Sequence, residues 1–191
     1  MGDRDLPPEG FVRDAIARAD GRMAMLAAVA SLDLPDAWIA AGAVRNAVWD
    51  ALHGYAAFTP LADVDVIWFD PARADQAVDR ALENHLTAIL PALPWSVKNQ
   101  ARMHERNGDP PYQGSLDAMR FWPETATALG ARLSKDGTIE IAAPFGLDDL
   151  LGLVLRPSPR FSSKMALFHH RVVEKQWTRV WPRLRLRDGA R

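Results

Sequence analysis

Residues 38–70 read WIAAGAVRNAVWDALHGYAAFTPLADVDVIWFD. The apolar run Trp38 to Ala41 reads as a short strand that ends at Gly42. Beyond it Val44, Ala47, Val48, Ala51 and Leu52 recur at helical spacing. Leu61 to Phe69, rich in β-branched and aromatic residues and bounded by Pro60 and Pro71, reads as a second, buried strand. Within it Asp63 and Asp65 are two residues apart, so their side chains leave the same face of a strand at roughly 6–7 Å between Cα atoms. Val64, Val66 and Trp68 then take the other face, toward a core. Two ionised carboxylates side by side repel unless a cation or donors neutralise them, and such hard oxygen ligands suit Mg²⁺ or Mn²⁺ shared with substrate phosphates. Upstream, Gly42 opens a helix where free N–H groups and the helix dipole favour an anion, and Arg45 adds positive charge there. The plainer readings are two exposed acids at the start of a strand and a glycine at a tight joint.

Outward from this core the chain keeps alternating. Val12, Ala15, Ile16, Ala19, Met23, Leu26 and Ala30 predict one amphipathic helix, and Ala74 to Ile89 another, closed by Pro91. Pro94 to Val97 predicts a strand and Lys98 to Arg106 a helix on which Lys98, Arg102 and Arg106 form a basic stripe. That stripe is either a nucleotide contact or a solvated face. Asn107 to Gly114 reads as a loop. Residues 129–133 and 138–142 flank Asp136-Gly137, a hairpin turn signal. Arg156 to Ser163, with Pro157 and Pro159, resists helix and sheet. Leu167, Phe168, Val172, Gln176 and Val180 then mark a C-terminal helix stopped at Pro182. The expected fold is α+β, a mixed sheet with helices packed on it and a C-terminal helical tail. Residues 1–155 would form the core, including the N-terminal helix, and residues 156–191 a linker and a basic helix packed on it.

Composition narrows the function classes. At 48% hydrophobic and 25% charged residues, the 191-residue chain is too apolar for disorder and long enough for one sizeable core. The absence of cysteine excludes disulfides, thiolate zinc sites, iron–sulfur clusters and a cysteine nucleophile. The longest apolar run, Ala24 to Leu32, is about half a membrane span, and the first ten residues are polar, so a cytoplasmic protein without membrane contact is expected. The formal charge of -1 hides an asymmetry: from Ser162 onward eight Lys or Arg stand against two acids. Such a tail is either a partner-binding basic patch or a solvated helix face. No P-loop, dinucleotide, zincin or serine-hydrolase motif occurs.

Taken together, GAVRN at 42–46 and DVD at 63–65 resemble the core of the DNA polymerase β-like nucleotidyltransferase superfamily, a glycine-started helix followed by an Asp-x-Asp strand. GAVRN is nearest the GGxVRD of the tRNA CCA-adding and poly(A) polymerase branch. WSVKNQARMHERNGDPPY (95–112), DAMRFWPETATALGARL (117–133) and APFGLDDLLGLVLRPSPRF (143–161) are similar to a bacterial family of nucleotidyltransferase-like proteins. The resemblance implies a nucleotidyltransferase-type fold. Asp63 and Asp65 would hold Mg²⁺ or Mn²⁺ for in-line transfer of a nucleoside monophosphate from an NTP to an acceptor, a small molecule, a protein or RNA. It also implies a third carboxylate on a neighbouring strand, for which the sequence offers Glu140, and a nucleotide site at Gly42, Ala43, Arg45 and Asn46 with Lys98 and Arg102 nearby. Ala43 is taken as the second position of the usual glycine pair, and Asn46 replaces an acid. The base-reading residues of the CCA-adding branch have no match, so CCA addition is not expected. The alternative is a silent nucleotide- or RNA-binding module on the same fold.

Overall fold

Val64, Val66 and Trp68 are fully buried in the computed structural model, which describes residues 7–19 and 21–189. They belong to a five-stranded mixed sheet. β1 (Trp38–Ala40) pairs antiparallel with β2 (Val64–Trp68), placing Ala40 opposite Asp65. β3 (Trp95–Asn99) runs parallel to β2, with Ser96 beside Asp65. β4 (Gly130–Leu133) and β5 (Ile139–Ala142) form the expected hairpin on the other side of β1, giving the order β3-β2-β1-β4-β5.

Alternation along the strands gives each face its work. Val64, Val66, Trp68, Ile39 and Val97 enter the main core with α1 (Pro8–Arg18), α2 (Arg22–Ala30) and α3 (Gly42–His53). Asp65 leaves from the opposite face, which carries a smaller cluster of Trp38, Ala40, Ile67, Met119, Ala128 and Ala142. The free edge of β3 is covered by α4 (Gln76–Ile89): Glu83 accepts the Val97 N–H at 2.8 Å and Asp79 the Asn99 N–H at 3.0 Å. An open ladder edge is thereby satisfied by carboxylates.

The single N-terminal helix expected from periodicity is two helices: the first ends at Arg18 as Ala19 turns extended, and Gly21, at φ +74°, is the N-cap of the second. Lys98 also moves: it lies in β3, and α5 (Gln100–Asn107) begins after Asn99, whose side chain accepts the Ala101 N–H at 3.0 Å as an N-cap. The basic stripe of Lys98, Arg102 and Arg106 on one helix does not exist. α6 (Ser115–Met119), in a stretch to which the sequence pattern assigned no element, follows the expected loop, and α7 (Asp148–Leu151) follows the hairpin.

Beyond Leu155 the chain returns to the main core. β6 (Val154–Leu155) pairs parallel with β7 (Arg185–Leu186), and Pro157 bridges to Glu124. The C-terminal helix is divided into α8 (Met165–Lys175) and α9 (Trp177–Val180) by Gln176 at φ +49°. Phe168, Val172, Trp177, Trp181 and Leu184 all sit in the main core. Trp49 of α3 meets Trp181 edge-on at 5.1 Å and Trp177 at 6.3 Å between ring centroids. Among the described residues no helix is long and apolar enough to cross a membrane.

Candidate active site

The turn from β1 into α3 sets the site. Ala41 holds φ +51° and ψ -119°, a left-handed geometry that strains any residue with a Cβ. Its N–H is tied to Leu129 O at 3.0 Å, and its carbonyl accepts the Arg45 N–H at 2.9 Å. That is the first full helical bond, so the N–H groups of Gly42 and Ala43 precede the helical ladder. A Cβ on Gly42 would lie 3.6 Å from Arg45 Nη2 and 4.0 Å from Asp63 Oδ1, so the bare glycine faces a cation and an acid at once.

Asp63 immediately precedes β2, and Asp65 is its second residue. The loop delivering Asp63 is anchored by a buried acid that the sequence reading passed over. Asp50 of α3 accepts the Thr59 N–H at 2.8 Å, the Thr59 hydroxyl at 2.7 Å and the Trp181 Nε1–H at 2.7 Å. One carboxylate thus pins the loop before Asp63 and the C-terminal segment to the same helix.

Gly42, Arg45, Asn46, Asp63 and Asp65 line one open pocket of about 230 Å³, together with Thr127, Arg171, Lys175 and Trp177. Burial, followed by the neighbouring charge of Asp63, pushes the Asp65 carboxyl up to about 6, while Lys98, Arg45 and Lys175 oppose the rise. Burial lowers the Arg45 guanidinium to about 10, still a cation at neutral pH. Arg45 donates to Thr127 Oγ1 at 3.1 Å and Asn46 Oδ1 at 2.9 Å and lies 4.7 Å from the Trp177 ring centroid. It is therefore fixed, not free to swing. Behind it stands Glu124, fully buried, whose Oε1 accepts from Arg171 Nε at 2.7 Å and whose Oε2 finds no partner among the described residues. Burial raises its pKa above the ordinary carboxylate range.

Other expected residues stand elsewhere. Glu140 does leave the same sheet face as Asp65, but β1 and β4 intervene. Three strand spacings, roughly 14 Å, separate β2 from β5, and Glu140 pairs with Arg132 Nη2 at 2.6 Å. It does not join the two aspartates, and among the described residues no group of three metal-ligating side chains occurs. Glu140→Gln is accordingly expected to cost under about 1 kcal/mol, since it removes a half-exposed ion pair. Metal and nucleotide binding should be unchanged, as titration calorimetry would show. Ala43 turns its side chain into the main core and gives its carbonyl to Arg22 Nε at 2.9 Å. The position in this turn that demands a glycine-like backbone is Ala41. Lys98 is held by Glu83 at 2.8 Å and Arg102 pairs with the buried Asp79, so neither lines the pocket. Lys98 reaches Asp65 only through its field.

Thr127 of the central chain and Arg171, Lys175 and Trp177 of the tail are among the pocket residues that sequence reasoning missed. The tail's signal was present: Arg171 and Lys175 are four apart on one helix, three and seven residues after the core residue Phe168, so they border the stripe that Phe168 and Val172 bury. What was hidden was which way the tail folds back.

A mixed sheet with a glycine-opened helix beside paired aspartates defines a class of phosphoryl-handling fold, and comparison with known proteins agrees. The chain belongs to the nucleotidyltransferase family, whose model matches residues 27–186. It is similar to a solved structure described as an NMR structure revealing a CCA-adding enzyme head domain. That chain is 33% identical, with a TM-score of 0.84 over 98% of this chain and 100% of the other. A tRNA-processing enzyme in an apo form shares the fold at 17% identity and a TM-score of 0.52, covering 85% of this chain and 44% of that one. No curated protein matches the sequence.

Proposed function

We propose that the protein transfers a nucleoside monophosphate from an NTP to an acceptor hydroxyl, with Mg²⁺ or Mn²⁺ held by Asp63 and Asp65. The observation that carries this reading is the meeting of both aspartates with Gly42 and the α3 N-terminus in one pocket walled by cations. The raised pKa of Asp65 is what crowded, desolvated carboxylates show before a cation relieves them. Two carboxylates suffice, because Mg²⁺ keeps waters and takes its remaining ligands from phosphates. Such an ion supplies charge neutralisation on the phosphates and acidifies the attacking hydroxyl.

The chain's own groups do the positioning. Gly42, lacking a side chain, leaves room for a phosphate against the first-turn N–H groups. Arg45, locked by Thr127 and Asn46, holds a fixed positive charge beside that position. In the reaction the acceptor oxygen bonds to the α-phosphorus, the bond to the bridging oxygen of the β-phosphate breaks, pyrophosphate leaves, and the hydroxyl proton passes to water. The likeness to a CCA-adding enzyme head domain makes an RNA 3′ end the first acceptor to try.

The test is pyrophosphate release from each of the four NTPs with Mg²⁺ or Mn²⁺, using RNA and then a small-molecule extract as acceptor source. Release should require the metal and vanish in the double variant Asp63→Asn, Asp65→Asn. Metal-dependent NTP binding without release across all acceptors would assign the silent binding module instead. No NTP binding at all would end the transferase reading.

A further inference from the structure

The pocket that holds the aspartates is also lined by residues of the C-terminal helices. Arg171 and Lys175 lie one helical turn apart on α8, and both line the same pocket as Asp63, Asp65 and Gly42. Arg171 is anchored by Glu124 through Nε alone, and a third of its side chain stays open. Its terminal nitrogens donate to no side chain or carbonyl among the described residues. Lys175 is exposed and makes no hydrogen bond or ion pair there, yet its charge reaches Asp65 across the pocket. Counting Arg45, three cations face two acids in about 230 Å³, with Glu124 buried behind them.

We propose that Arg171 and Lys175 clamp the phosphate chain of the NTP donor, so that the C-terminal helices are part of the active site. The inference rests on the donor reading given above and extends it to these two residues. A polyphosphate carrying its divalent ion is the ligand that satisfies both walls, its metal toward the carboxylates and its anionic oxygens toward the guanidinium and ammonium groups. A bare nucleic-acid backbone satisfies only one wall and is repelled by the other. The pocket is also smaller than the usual range for a whole drug-sized ligand, as a phosphate subsite should be. Glu124 acts as a positioning residue: its buried carboxylate fixes Arg171 at Nε and leaves the guanidinium fork facing the cavity.

The experiment is calorimetric titration of the full chain with Mn²⁺ and inorganic tripolyphosphate, Mn²⁺ and ATP, Mn²⁺ alone, and a single-stranded RNA oligonucleotide. Lys175→Ala, at an exposed position, should fold normally. It should weaken both polyphosphate ligands by a similar factor, about tenfold, the scale of one charge-assisted bond. Its affinity for Mn²⁺ alone should not fall. The double variant Arg171→Gln, Glu124→Gln, which removes the buried acid together with its partner, should do the same. Tripolyphosphate binding within twofold of wild type in both variants would overturn the clamp, as would a loss confined to the RNA oligonucleotide. If the wild-type protein binds neither tripolyphosphate nor ATP with Mn²⁺, the donor reading itself fails and the clamp with it.

Discussion

Asp65→Asn is expected to make the metal-free protein more stable, by about 1–3 kcal/mol at pH 7.5. The Asp65 carboxyl is raised to about 6 by burial and by Asp63, so ionising it in the folded state costs more than in the unfolded chain. The cost is fully present above the folded value, shrinks as pH falls through it, and vanishes below the unfolded value near 4. Wild type and variant should therefore differ most at pH 7–8 and converge toward pH 4. For a chain of this size each kcal/mol is about 2–4 °C in Tm, within reach of calorimetry in EDTA. On the proposed function, Mn²⁺ with NTP should stabilise wild type, and the same variant should lose that gain. A less stable Asp65→Asn would mean that the carboxylate is structurally satisfied without a cation.

Asp50→Ala should have the largest destabilising effect outside the apolar core, about 3–5 kcal/mol. The carboxylate is fully buried and accepts three hydrogen bonds, from the Thr59 N–H, the Thr59 hydroxyl and Trp181 Nε1. Alanine leaves the buried indole N–H unpaired and frees the loop that carries Asp63. Asp50→Asn should recover part of the loss, because its amide oxygen can still accept from Trp181 while its NH₂ group faces the Thr59 N–H. Urea denaturation followed by tryptophan fluorescence measures both. Equal stability of the alanine variant would show that the loop and the tail are held by other contacts.

The parts of the fold that could be read from residues 38–70 are those fixed by local physics. Alternation sent Val64, Val66 and Trp68 to the core and both aspartates the other way, and Gly42 marked the strand-to-helix joint. Errors began where the deciding partner is remote in sequence. Parity put Glu140 on the correct face, but parity says nothing of which strands lie between, and the insertion of β1 and β4 is a tertiary outcome. Lys98 was misassigned by a shift of two residues at the Asn99 cap, a boundary where strand and helix periods are equally plausible over so short a run. Glu124 lies in irregular chain with no period to betray it. The tail's basic character was plain, whereas its return to the core through Trp177 and Trp181 depends on Trp49, far away in the chain.

The seating of Trp181 against Asp50 and Trp49 also bears on biosynthesis. A ribosome must add more than a hundred residues after Asp65 before the far wall of the pocket can take its place. Until then Asp63 and Asp65 are faced by Arg45 and lack the two further cations, Arg171 and Lys175, that the tail brings to the pocket.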